Sequence, residues 1–83
     1  MANLKNLGTC LNAERNRIDR MPDAAQAARD AAAAIDVVQD ALNRFAQLRS
    51  ELLRELRYEH GWSLGEIASE FGITRARVAQ LTS

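Results

Sequence analysis

The chain has one cysteine, Cys10, and one histidine, His60. Cys10 has no partner for an internal disulfide, and one Cys with one His cannot assemble a structural zinc site, so no metal and no cofactor is implied. One proline and four glycines in 83 residues leave few places to break a helix. Aromatic residues make up only 5%, and β-branched residues are sparse, which withholds the material of a sheet. No apolar run approaches the roughly 18–20 residues of a membrane span. Met1 to Leu11 also lacks the basic start and continuous apolar core of a signal peptide. The expectation is a cytoplasmic protein without membrane contact. Paired catalytic carboxylates are missing too: Glu51, Glu55 and Glu59 interleave with Arg54 and Arg57 as a solvated helix face, and no enzyme is expected. Finally, 11 basic residues balance 11 acidic ones, so the basic excess that usually marks nucleic-acid binders is withheld.

What is present favours helix. Alanine clusters between Ala24 and Ala34, and propensity supports an all-α fold almost throughout. Leu4, Leu7, Leu11, Ile18 and Met21 follow three-four spacing, interrupted by Glu14, and predict an amphipathic N-terminal helix. Met21-Pro22-Asp23 then punctuates the chain, with Pro22 suited to the first turn of a new helix and Asp23 to its positive end. From Asp23 to about Glu59 there is no Pro, no Gly and no capping signal, which predicts one helix of about 37 residues.

Along that helix Ala28, Ala31, Ile35, Val38, Leu42, Phe45, Leu52 and Leu56 keep an alternating three-four spacing that only Arg49 breaks. Leu48 and Leu53 widen the seam. Such a stripe suits either an intramolecular hairpin with the first helix or a coiled-coil body. The first helix covers only about half of the second, so a symmetric homodimer held by Ile35, Val38, Leu42, Phe45 and Leu52 is expected to cover the remainder. A chain this short rarely gains more than about 3–5 kcal/mol from one core, which also points to oligomerisation.

A second punctuation mark follows at Tyr58-Glu59-His60-Gly61-Trp62-Ser63. Gly61 can end the long helix in the left-handed conformation, with Trp62 folding back on Leu56. Ser63-Leu64-Gly65-Glu66 reads as a capping box, opening a short helix to about Phe71. Gly72-Ile73-Thr74 turns the chain, and Thr74 caps a last helix from Arg75 to about Leu81. Two short helices crossing steeply need a small residue at their close approach, a glycine in the turn and apolar residues on the buried faces. Ala68, Gly72 and the set Ile67, Phe71, Ile73, Val78 and Leu81 fill those roles. The chain is therefore divided at residue 60: a helical dimerisation region over 1–60 and a helix-turn-helix over 61–83.

The run from Ser63 to Leu81, SLGEIASEFGITRARVAQL, resembles the helix-turn-helix of sigma-factor region four, which reads the upstream promoter hexamer. With its lead-in from Leu56, the whole protein is similar to the short sigma-like helix-turn-helix proteins of actinobacteria. The resemblance implies base-reading and phosphate-binding roles for Arg75, Arg77 and Gln80. Ala76 and Ala79 stand where the family pattern has Glu and Arg, so a target other than the promoter hexamer is expected. Without the other sigma regions, the chain is not expected to act as a complete sigma factor.

The residues support the same roles independently. With Ile73, Val78 and Leu81 facing inward, Arg75, Ala76, Arg77, Ala79, Gln80 and Ser83 point out. Arg suits guanine, Gln suits adenine, and Ala methyls pack on thymine. Ser63 and Thr74 sit at helix N-termini, where free amides favour phosphate oxygens. The expected function is sequence-specific binding of double-stranded DNA by a homodimeric transcriptional regulator, with RNA polymerase left open as a further partner. The rival reading is an interaction protein that binds RNA polymerase or a sigma factor and never touches DNA. Cys10, His60 and Trp62 read as a packing residue, a helix-end charge and a packing anchor.

Overall fold

The computed structural model describes residues 4–83 and contains four α-helices: α1 (Leu4–Asp19), α2 (Ala24–Tyr58), α3 (Leu64–Phe71) and α4 (Arg75–Thr82). Among the described residues there is no strand, so the all-α expectation holds. Two compact units, Met1–Asp40 and Ala41–Ser83, divide the chain within α2. No helix among the described residues is long and apolar enough to cross a membrane.

In the first unit α1 ends at Asp19, and Asp23 starts α2 by accepting from the amides of Ala25 (3.0 Å) and Gln26 (3.3 Å). Asp23 is thus the cap itself, and Pro22 lies just before it rather than inside the first turn. The Arg17 guanidinium binds the Glu14 carboxylate at 2.6 Å and approaches Asp30 of α2 at 3.5 Å. The hydrogen bond from Arg17 holds the Glu14 carboxyl below its ordinary range. Ile18, Met21, Ala27 and Ala31 are half-buried near this junction, whereas Leu4, Leu7 and Leu11 are exposed. α1 therefore buries no residue fully, and the apolar face that suggested a folded-back hairpin stays open. Ile35 and Val38 are exposed in this unit as well.

The core lies in the second unit. Leu53, Ile67, Ala68 and Val78 are buried, with Leu56, Trp62, Leu64, Ile73 and Leu81 packed around them. Three helices contribute: the last turns of α2, then α3 and α4. Leu56, the last residue of the three-four stripe, belongs to this core, as does Leu53. Phe71, expected to face inward, is 52% exposed. Thr82 takes an inward place that apolar counting left unassigned, at 1% exposure. Its hydroxyl donates to the Val78 carbonyl at 2.8 Å and accepts from Arg57 Nη1 at 2.8 Å, fastening the end of α4 to α2. Arg57 also lies 4.8 Å from the centre of the Tyr58 ring.

Leu53→Ala should cost this unit about 2–5 kcal/mol, the range for truncating a buried leucine. Phe71→Ser, at an exposed position, should change stability little. Thermal unfolding followed by circular dichroism tests both; equal effects would contradict the placement of the core.

Candidate nucleic-acid interface

Gly61, with φ 71°, ends the lead-in, and the Trp62 amide donates to the Leu56 carbonyl at 3.0 Å. The contact expected between Trp62 and Leu56 is present at the backbone, and both side chains pack against the core. Ser63 then caps α3 reciprocally. Its hydroxyl accepts from the Glu66 amide at 3.1 Å, and its own amide donates to the Glu66 carboxylate at 3.2 Å. Two free amides are satisfied by one Ser-x-x-Glu spacing, which fixes where α3 begins.

Gly72, with φ 65°, ends α3, and its amide donates to the Ala68 carbonyl. The Ile73 amide closes onto the same carbonyl at 3.0 Å. This left-handed termination turns the chain within two residues and turns Ile73 back onto the core. Thr74 follows as the cap of α4, its hydroxyl accepting from the Arg77 amide at 3.0 Å. Val78 is fully buried beneath the turn, which leaves Arg75, Ala76, Arg77 and Gln80 on the exposed surface of α4. Ala79, expected outside, is half-buried.

The predicted contact residues fall into two groups. Arg77 Nη1 donates to Gln80 Oε1 at 2.8 Å, so these two side chains form one exposed polar pair along α4. Arg75 lies apart from them, its guanidinium against Gly65 of α3, in a shallow groove also lined by Ser63 and Glu66. Thr74 joins the groups only as the cap between α3 and α4. Neither Arg75 nor Arg77 is held in an ion pair among the described residues, and no acidic residue follows Glu70 in the sequence. Both cations are thus available to an anionic partner. Among the described residues no cluster of His, Cys, Asp or Glu is arranged to hold a metal ion.

Sequence reasoning missed Gly65, Arg57 and Thr82. A glycine in the first turn of a helix whose cap is already supplied by Ser63 signals a close approach, and that signal was available. Thr82 falls four residues after Val78 and shares its face, where a threonine can bond back to the preceding turn. Arg57 carried no such mark, because its partner lies 25 residues away.

The family model described as Sigma-70, region 4 matches residues 52–83, less than half of the chain. The matched segment begins at the turns of α2 that carry Leu53 and Leu56, so it takes in the whole three-helix core. This part of the chain is a sigma-factor region-4-like helix-turn-helix, a DNA-binding type of unit used in transcription regulation. Searches of curated proteins and of solved structures gave no match.

Removing the cap hydroxyl in Thr74→Ala should destabilise the unit by roughly 1 kcal/mol, while Thr74→Asn should restore most of the loss. Urea unfolding of the full chain measures both. An Asn variant as unstable as the Ala variant would show that the hydroxyl is not acting as a cap.

Proposed function

We propose that the protein is a sequence-specific, duplex-DNA-binding transcriptional regulator that acts as a homodimer on a roughly palindromic site. The observation that carries this reading is the exposed surface of α4, where Arg75, Arg77 and Gln80 follow the Thr74 cap in a unit that matches sigma region 4. A helix capped in this way presents its N-terminal residues to base edges in the major groove, as recognition helices do. Arg75 or Arg77 supplies a bidentate contact to guanine, Gln80 a contact to adenine, and Ser63 and Thr74 contribute phosphate contacts at the starts of α3 and α4. Residues 61–83 carry this surface, and residues 1–60 provide the pairing region.

The proposed pairing surface comprises Ile35, Val38, Leu42, Phe45 and Leu52. Their exposures, from 46% for Val38 to 66% for Ile35, support a second copy as the cover. Fully burying one such side chain stabilises by roughly 1.5–3 kcal/mol, so these residues together can offset much of the entropy of association. Two copies related by a two-fold axis then present two reading helices, and half-sites should lie about one helical turn, or a multiple of it, apart.

Selection of binding sites from randomised duplexes should return an inverted repeat. Arg75→Ala and Arg77→Ala should each weaken binding to that operator, the base reader costing roughly 1–3 kcal/mol per half-site and relaxing one base position. The phosphate contact should instead weaken operator and scrambled DNA alike. If neither variant changes affinity for either DNA while circular dichroism shows both folded, the unit docks on protein, as its zero formal charge would also allow.

Replacing Leu42 and Phe45 together with Glu should convert a dimer to monomers, because a charge in an apolar seam costs several kcal/mol. Light scattering reads the mass. A folded wild-type monomer at micromolar concentration would remove the dimer from the proposal. With few cations on the reading surface, the logarithm of affinity should also fall only shallowly with the logarithm of salt.

A further inference from the structure

We propose that Gly65 is a positioning residue for Arg75: the missing side chain admits the guanidinium against the first turn of α3 and thereby sets the direction from which Arg75 meets DNA. This rests on the DNA-binding reading above and adds to it a residue that contacts no base.

A Cβ placed on Gly65 would stand 2.9 Å from Nη2, 3.2 Å from Nε and 3.3 Å from Cζ of Arg75. These separations are shorter than ordinary van der Waals contact, and the three nearest atoms all belong to this one guanidinium. The backbone does not itself require glycine here. Positive φ among the described glycines occurs at Gly61 and Gly72, and Gly65 adopts helical geometry that any residue accepts. Glycine in a helix is less favourable than alanine, so its presence in the first turn of α3 calls for a steric reason, and the Arg75 side chain supplies one.

The crowding is also selective. The atoms in the way are the far end of a flexible side chain, so an added methyl group would move the guanidinium and leave the backbone of α3 and α4 in place. Arg77 provides an internal control, since its guanidinium bonds Gln80 along α4 and none of its atoms is among the three nearest to the Gly65 Cβ position. Ser63 and Glu66 line the groove in which Arg75 rests, but both are occupied by the capping box. The bare Cα of Gly65 is therefore the feature that gives the arginine room to lie across α3 rather than project from α4.

The test compares the full-length wild type, Gly65→Ala, Arg75→Ala and the double variant. Without DNA, the Nε–Hε resonance of Arg75 should shift in Gly65→Ala while that of Arg77 stays, and the melting temperature should be unchanged or higher. With a selected operator duplex, Gly65→Ala should lose roughly tenfold in affinity, within the range of one mis-aimed bidentate contact. In the Arg75→Ala background the same change should have no further effect. An unmoved Arg75 resonance, or an equal loss of affinity in both backgrounds, would overturn the proposal. If Arg75→Ala itself binds operator and scrambled duplexes like wild type, the DNA role of Arg75 fails, and the resonance alone decides whether Gly65 places the side chain.

Discussion

Two eight-residue helices do not stand alone in water: isolated helices shorter than about 12–15 residues are marginal even with favourable composition. α3 and α4 are both below that length, so the exposed surface of α4 depends on the packing of Ile67 and Val78 against Leu53. The caps then decide where each short helix begins and ends. Ser63 and Glu66 set the start of α3, Gly72 its end, and Thr74 the start of α4. Arg75 and Arg77 stand on the surface because Val78 is fixed beneath them. The bond from Arg57 to Thr82 closes the third side, tying the last turn of α4 to the helix that supplies Leu53.

That dependence makes α2 part of the helix-turn-helix. Its last turns are a wall of the helix-turn-helix core, and the matched region accordingly starts at residue 52 rather than at the Gly61 break. Leu42 and Phe45, in the same unit, remain 58% and 63% exposed. Seen along a helix of 3.6 residues per turn, Leu42 and Leu53 lie about three turns apart on nearly the same side. One apolar face is thus covered by α3 and α4 at one end and left uncovered nearer Leu42. A homodimer through that open part would place its symmetry axis on the helix that carries the reading unit, with no flexible segment intervening.

The sequence disclosed the elements more completely than it disclosed which side chains each would bury. Punctuation has local causes: a Ser-x-x-Glu box, a glycine with positive φ and a threonine cap each act within a few residues, so α3 and α4 fall where spacing put them. The inward faces are set by partners far along the chain. Leu56 fitted the heptad seam as well as it fitted the core, and only the approach of α3 and α4 decides between them. Hydrophobicity places Phe71 inward, but its position in the last turn of α3, next to the Gly72 break, turns it to solvent. Thr82 is polar and so falls outside any apolar pattern, yet it is buried with its hydroxyl satisfied by Val78 and Arg57. The candidate contact residues are legible as types, whereas the separation of Arg75, against Gly65, from the Arg77–Gln80 pair emerges only once α3 and α4 are packed together.

The absence of net charge gives that separation its weight. A strongly basic DNA binder draws most of its affinity from neutralising phosphates, which is indifferent to the exact aim of any one side chain. Here α4 carries two arginines, and 11 acids balance 11 bases over the whole chain, so no basic excess is there to supply that contribution. If α4 meets DNA as proposed, affinity must come from a few well-directed contacts, and a bidentate arginine contact works only when both nitrogens meet their acceptors. Directed contacts require pre-positioned side chains, since an arginine free to sample its rotamers loses about 2 kcal/mol of entropy on being fixed. On the proposed reading, the bond from Arg77 to Gln80 and the place of Arg75 against Gly65 would each narrow that freedom in advance. A neutral chain that reads DNA in the proposed way would depend on such restraints more than a basic one does, and the glycine in the first turn of α3, with the Arg75 guanidinium against it, would then count with the proposed contact residues.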